Sequence, residues 1–278
     1  MSKSRHADLE EVRSFFATLL VAASRSRDPR LAEVFAEVRR EDFMGPGPWK
    51  IKAGDTYCET PSADPRYLYQ NALVALDAAK GINNGEPYLH AAWIAAVNPR
   101  PGDEICHIGT GTGYYTAILA RLCAPGGRVQ AFEIEENLAQ KARDNLRDYA
   151  NVTVVHADAT QQPVPAADII YVNAGVVAPP RQWLQALRPR GRMIFPWRPA
   201  ERVALAVILL RAGEGFWATP VMPAWFIPCV GASEATCAKV PDGRGAWSIQ
   251  SAWLTDERSP NESAVAIYED VWFSSERP

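Results

Sequence analysis

Residues 104–122 read EICHIGTGTGYYTAILARL. A short apolar run over residues 104–108 has the character of a buried strand. Glycine then recurs at 109, 111 and 113, and an apolar stretch of helical length begins at Tyr114. Strand, glycine turn and helix in that order let a ligand approach the backbone closely while the first N–H groups of the helix point at it. The dinucleotide fingerprint requires a further glycine at position 114, where Tyr114 stands, so a nicotinamide cofactor is not expected. Glycines at alternate positions suit a nucleoside without a pyrophosphate.

Outward from this motif the pattern repeats. Residues 128–133, 152–156, 167–173 and 192–196 read as further strands, and residues 88–97, 114–122, 135–149 and 183–187 as helices. Strands alternating with helices at this interval predict an α/β fold with a parallel, doubly wound sheet. Upstream, Leu9, Val12, Phe15, Phe16, Leu19 and Leu20, then Leu31, Val34, Phe35 and Val38, recur at helical spacing and predict two amphipathic helices. Gly45-Pro46-Gly47-Pro48 ends that region, and the polar stretch to residue 65 reads as loop. Downstream, residues 203–210 and 217–226 flank Gly213-Glu214-Gly215 as a hairpin, and residues 246–254 and 264–273 read as another strand pair. The expected organisation is an N-terminal helical and loop segment (1–66), a ligand-binding α/β domain (67–233) and a C-terminal β extension (234–278).

Two carboxylates extend the reading of the glycine turn. Glu133 ends the second strand about twenty residues beyond it, where an acid accepts from both hydroxyls of a ribose. Asp158, in His156-Ala157-Asp158-Ala159, follows the third strand, where a carboxylate accepts from an adenine amino group. The ends of adjacent strands are where open α/β sheets bind ligands. Composition sets limits on the partners. The 278 residues carry 29 Lys+Arg and 32 Asp+Glu, a net charge of −3, with 47% apolar and 22% charged residues. That balance excludes a disordered chain and disfavours non-specific nucleic-acid binding. The longest apolar run, residues 203–210, falls far short of the ~20 residues of a spanning helix, so no membrane partner is expected. The N-terminus lacks the apolar core of a signal peptide. Cys58, Cys106, Cys123, Cys229 and Cys237 form no CxxC pair, which together predict a reducing cytoplasm and no metal site.

The chain resembles the S-adenosylmethionine-dependent methyltransferases, and among them the protein-L-isoaspartate O-methyltransferase family. The resemblance rests on residues 27–30 and 38–43, Glu86-Pro87-Tyr88-Leu89-His90-Ala91, residues 108–114, 151–155 and 187–192, and Trp225-Phe226-Ile227-Pro228, collinear from about residue 27 to 231. It implies S-adenosyl-L-methionine as cofactor, with Gly109, Gly111 and Gly113 cradling the methionine portion, Glu133 on the ribose, Asp158 on the adenine and His90 beside the cofactor. His107, Thr110, Tyr114, Ile134, Ala159 and Asn173 complete the implied binding set.

Two departures qualify the activity. The family's Thr-x-Ser-x-Pro segment supplies a serine hydroxyl at the transfer site; here Asn83-Asn84-Gly85-Glu86-Pro87 puts Gly85 in the serine's place. His107 stands where the family has an acid before the glycine turn. The expected activity is methylation of a carboxylate on a peptide or small metabolite, diverged from isoaspartate repair, with Glu86, His90 and Asn84 as the polar groups near the transferred methyl. Methylation of a hydroxyl or amine, or a cofactor-binding module without turnover, are the alternatives. The acceptor pocket is expected from residues 57–69, 83–90 and the C-terminal extension, whose Trp247, Trp253 and Trp272 are candidates to wall it.

Overall fold

The computed structural model describes residues 2–278. Its α-helices are α1 (Ser2–Ser24), α2 (Arg30–Glu37), α3 (Pro87–Val97), α4 (Tyr114–Cys123), α5 (Glu136–Asn145), α6 (Arg181–Ala186) and α7 (Gly243–Trp247). The strands are β1 (Lys50–Ala53), β2 (Thr56–Glu59), β3 (Ala75–Asp77), β4 (Ile82–Asn83), β5 (Glu104–Ile108), β6 (Arg128–Glu133), β7 (Val152–His156), β8 (Ala167–Val172), β9 (Leu187–Ala200), β10 (Val203–Ala212), β11 (Gly215–Pro223), β12 (Cys237–Lys239), β13 (Ser251–Leu254), β14 (Ala264–Tyr268) and β15 (Val271–Ser274). Two compact units result. One takes the chain up to Gly102 with Thr110–Val129 and Glu135–Val154; the other takes Asp103–Gly109, Gln130–Ile134 and Val155–Pro278.

In the first unit α1 packs on α2 and α3. The α2 face carrying Leu31, Val34 and Phe35 is buried, as its spacing predicts. On α1 the buried residues are Phe16, Ala17 and Leu20, whereas Phe15 and Leu19 are exposed. Residues 49–65, read as loop, contain the β1–β2 hairpin, paired from Lys50↔Glu59 to Ala53↔Thr56. Both strands are almost wholly exposed, so no alternation of apolar and polar residues marks them.

Arg40 organises the segment that leads to α3. It is fully buried, and its Nη1 donates to the carbonyls of Leu68 (2.6 Å) and Gln70 (3.1 Å), its Nη2 to Ala72 O (2.9 Å) and its Nε to Asn84 Oδ1 (3.4 Å). The planar guanidinium fork suits this task, because one side chain serves four acceptors, of which Leu68 O and Asn84 Oδ1 are buried.

The main sheet has eleven strands, in the order β12-β14-β15-β13-β11-β10-β9-β8-β5-β6-β7. β8 lies parallel to β5 and to β9. The chain passes from β5 outward to β6 and β7 and returns to β8 on the other side of β5, so the order reverses between β5 and β8. This is the doubly wound, Rossmann-like α/β arrangement, and the reversal point is where such sheets open a crevice at their carboxyl ends. β9 is longer than expected, running through Pro189 and Pro196. α5 stops at Asn145, short of the expected residue 149.

The C-terminal residues continue the same sheet. β13 pairs antiparallel with β11 and β15, and β14 pairs with β15 and β12. Two expectations change here: residues 246–247 belong to α7 rather than to a strand, and residues 264–273 form two strands about a turn at Glu269-Asp270. Tyr268 and Phe273 enter the main core, where Phe273 stacks on Trp197 with centroids 4.6 Å apart and Tyr268 Oη lies 3.2 Å from Trp197 Nε1. Trp253 and Trp272 pack in a small cluster with Ala264, while Trp247 is exposed. Among the described residues no helix is long and apolar enough to cross a membrane.

Arg40→Met is expected to lower stability by about 3 kcal/mol or more, since it strands the buried Leu68 O and Asn84 Oδ1. Phe15→Ser, at an exposed position, should change it by about 0.5 kcal/mol at most. Urea unfolding of the two variants checks both values.

Candidate functional site

Gly109, Gly111 and Gly113 all adopt left-handed conformations, with φ of +77°, +57° and +98°. The backbone disfavours a side chain at each, and a Cβ would also press on a neighbouring leucine, at 2.7 Å from Leu146 Cδ1 for Gly113 and 3.1 Å from Leu76 Cδ1 for Gly111. Gly113 N donates to Thr110 O at 3.0 Å, and Asn145 Nδ2 donates to Thr112 O at 3.0 Å, which fixes the turn. Thr110 Oγ1 is 2.5 Å from Thr116 Oγ1. Tyr114 is buried edge-on against Phe43, and burial pushes its phenol well above the ordinary range.

At the end of β5, His107 is fully buried and Asn173 Nδ2 donates to its Nε2 at 2.8 Å. Burial lowers the imidazole to about 3, so the ring is neutral, with Nε2 as acceptor and the proton on Nδ1. Asn173 N donates to Ile108 O at 2.8 Å, holding the residue at the reversal point of the sheet. Its Oδ1 is buried and has no hydrogen-bond partner among the described residues. His107 therefore orients the Asn173 amide and leaves an acceptor oxygen without a donor.

Glu133 is buried at the end of β6, where its backbone carbonyl accepts from Ala157 N at 3.0 Å. The next residue, Ile134, is exposed. Asp158 Oδ1 accepts from Thr160 N and Thr160 Oγ1, both at 2.8 Å, whereas Oδ2 makes no hydrogen bond among the described residues. Ala159 is buried and its carbonyl accepts from Trp183 Nε1 at 3.0 Å. Beside Asp158, the Cys229 thiol is pushed up to about 12 by burial and by that carboxylate, which keeps it protonated.

The three candidates ahead of α3 have different surroundings. Asn84 is buried with its Oδ1 engaged by Arg40. Glu86 is exposed at the N-cap of α3 and caps nothing with its side chain. His90 is buried and stacks on Tyr115 with centroids 3.7 Å apart and planes 19° from parallel. Gly85 has φ +77°, and a Cβ there would run into His90 Nε2 and lie 2.8 Å from His90 Cδ2. Tyr115 completes this group, its Oη donating to Gly85 O at 3.4 Å. In the sequence Tyr115 carries no mark beyond being an aromatic shortly after the turn.

The family model for protein-L-isoaspartate(D-aspartate) O-methyltransferase matches residues 18–234. The chain belongs to this family. Among curated relatives, a protein-L-isoaspartate O-methyltransferase of Ignicoccus hospitalis is 27% identical over 226 residues, covering 80% of this chain and 99% of that one. One from Methanopyrus kandleri is 31% identical over 175 residues, covering 61% of this chain and 70% of the relative. The fold agrees with a solved protein-L-isoaspartate O-methyltransferase at a TM-score of 0.68 and 20% identity, over 94% of this chain and 86% of that one. A Plasmodium falciparum structure described as a protein-L-isoaspartate O-methyltransferase, in complex with S-adenosyl-L-homocysteine, gives 0.62 at 16% identity, over 78% and 97% of the two chains.

Family membership makes this chain an S-adenosylmethionine-dependent methyltransferase, with S-adenosyl-L-methionine as its cofactor. Within that family the neutral His107 leaves a measurable trace. Its folded-state value lies near 3 and the unfolded value near 6.5, so the unfolded chain binds the extra proton between them. The stability this residue contributes is complete above pH ~6.5 and is lost as pH falls toward 3, by about 2 kcal/mol between pH 6.5 and 5. Urea unfolding across that interval should show the loss in the natural protein and a flatter dependence in His107→Gln.

Proposed function

We propose that this methyltransferase acts on a carboxylate of a peptide or small metabolite and is not an isoaspartate repair enzyme. The observation that carries the proposal is Gly85. It stands where the family's serine is, and the space a side chain would take there is filled by the buried imidazole of His90. No hydroxyl is presented from that position. A carboxylate is already ionised at neutral pH and needs no base to become nucleophilic, so positioning and exclusion of water carry the reaction.

The binding residues fit S-adenosyl-L-methionine by donor and acceptor type. The cofactor supplies a methyl group on a positively charged sulfur. The unpaired Asn173 Oδ1 suits its ammonium, replacing the missing acid at His107, and the left-handed turn at Gly109, Gly111 and Gly113 admits its methionine portion against the backbone. Glu133 and Ile134 are assigned to the ribose edge, and Asp158 Oδ2 with Ala159 to the adenine. Thr110 and Tyr114 belong to the turn, and the family resemblance sets His90 beside the cofactor. Residues 67–233 carry this chemistry. Among the described residues the five cysteines form no disulfide, in keeping with the reducing, cytoplasmic setting proposed here.

A hydroxyl- or amine-directed reaction has one observation in its favour, the imidazole of His90 against Gly85, which would serve as proton acceptor. Labelled S-adenosyl-L-methionine incubated with the protein and a cell extract separates the readings. Carboxylate methylation yields label released as methanol by mild base and a rate nearly flat above pH 6. Base-stable label and a rate climbing with pH would establish the alternative.

Glu133→Ala, Asp158→Ala and Asn173→Ala should each weaken cofactor binding by about 1–3 kcal/mol in calorimetry, the cost of unpaired polar groups. Unaltered affinity in all three would place the pocket elsewhere. A standard isoaspartyl peptide should not be turned over by the natural protein. Gly85→Ser should not restore turnover and should cost about 1–3 kcal/mol of stability, through both its backbone conformation and the His90 contact.

A further inference from the structure

After β8 the chain runs Asn173-Ala174-Gly175-Val176, pinned against two other segments of its unit. Gly175 N donates to Ile227 O at 2.6 Å, Cys229 N donates to Gly175 O at 2.8 Å, and Val176 N donates to Pro196 O at 2.8 Å. Arg198, near the end of β9, lies in this junction. Its backbone N donates to Val176 O at 2.7 Å, and a Cβ on Gly175 would meet Arg198 Cδ at 2.7 Å. A residue larger than glycine at 175 would therefore displace this side chain.

The guanidinium has half of what it needs. Nη1 donates to Phe226 O at 2.6 Å, and the group lies 5.3 Å from the centroid of the Trp225 ring. Nε is buried with no partner, and Arg198 forms no ion pair among the described residues. Arg30, Arg181, Arg188 and Arg192, by contrast, each hold an aspartate within 3 Å. A partly buried cation without a counter-charge is costly, and the Nε and Nη2 edge left over is the edge that grips a carboxylate through two parallel hydrogen bonds. On the same segment as Phe226, Trp225, Ile227 and Val230 are 60%, 41% and 56% exposed, an apolar surface bordering an uncompensated cation.

We propose that Arg198 binds the carboxylate of the methyl acceptor, with Trp225, Ile227 and Val230 receiving an apolar residue next to it in a peptide. The inference rests on the carboxylate reading above and assigns its specificity to one residue. It also gives the product a way out, because the methyl ester is neutral and loses the ion pair that held the acid.

Calorimetry on the full chain saturated with S-adenosyl-L-homocysteine tests it, using acetyl-Asp-Leu-amide, its neutral counterpart acetyl-Asn-Leu-amide and acetyl-phosphoserine-Leu-amide. The Asp probe should bind at least tenfold more tightly than the Asn probe, and added salt should weaken only the former. Arg198→Met should remove the preference and leave S-adenosyl-L-homocysteine affinity unchanged. Arg198→Lys keeps the charge without the fork, should retain part of the preference, and serves if the methionine variant is poorly folded. Equal affinity for Asp and Asn, an Asp preference surviving in both variants, no binding of the Asp probe, or tighter Arg198-dependent binding of the phosphoserine probe would overturn the proposal. Base-stable label in the extract assay alongside Arg198-dependent binding of the Asp probe would instead overturn the carboxylate-transfer reading and leave the anion site standing.

Discussion

The chain leaves β5 and enters α4 within residues 109–113, a turn that glycine at alternate positions makes without backbone strain. An L-residue at 111 or 113 would pay for a left-handed backbone and then meet Leu76 or Leu146. The turn thus exchanges side-chain freedom for an accessible backbone directly after a buried strand. His107 and Asn173 inherit their register from the strands on either side of the sheet's reversal point, so the polar pair there is positioned by sheet hydrogen bonds rather than by flexible loops. Such placement makes a single missing donor legible as a chemical demand.

Two unpaired atoms in the second unit carry opposite signs of that demand. Asn173 Oδ1 is an acceptor without a donor, and Arg198 Nε is a donor without an acceptor. Buried polar groups are ordinarily satisfied, and leaving one unmade costs more than a typical hydrogen bond gains. An ammonium would answer the first and a carboxylate the second, the charges of a methionine-derived cofactor and of the acceptor proposed above.

The central fold was readable because β5, β6 and β8 are short, buried and bounded by turn residues, and because the glycines mark the reversal between them. Other elements left weaker traces. The β1–β2 hairpin is exposed on both faces, so its sequence lacks the alternation that a half-buried strand shows. β9 begins in the polar, proline-containing stretch Leu187–Arg192, so only residues 192–196 read as strand, and β14 and β15 run together in the sequence because only Glu269-Asp270 separates them. At the site, the glycines, Glu133 and Asp158 were legible as residue types at known spacing. The partnership of His107 with Asn173, the imidazole of His90 against Gly85 and the uncompensated charge of Arg198 depend on residues far apart in the chain, and no local pattern announces them.

The continuation of the sheet beyond β11 bears on how the protein behaves at high concentration. A sheet ending at β11 would offer nine residues of unpaired backbone beside the partly exposed Trp217, a template on which another copy could add a strand. β13 covers the start of that edge, pairing with Phe216 and Trp217, and the sheet continues through β15 and β14 to end at β12, three residues long, whose Lys239 ammonium donates to Ala264 O. A terminal strand that short, next to a charged side chain, gives an incoming chain little to register against. The C-terminal residues therefore shorten the open edge of β11 as well as completing the core, and that cover acts at the surface whether or not any ligand is bound.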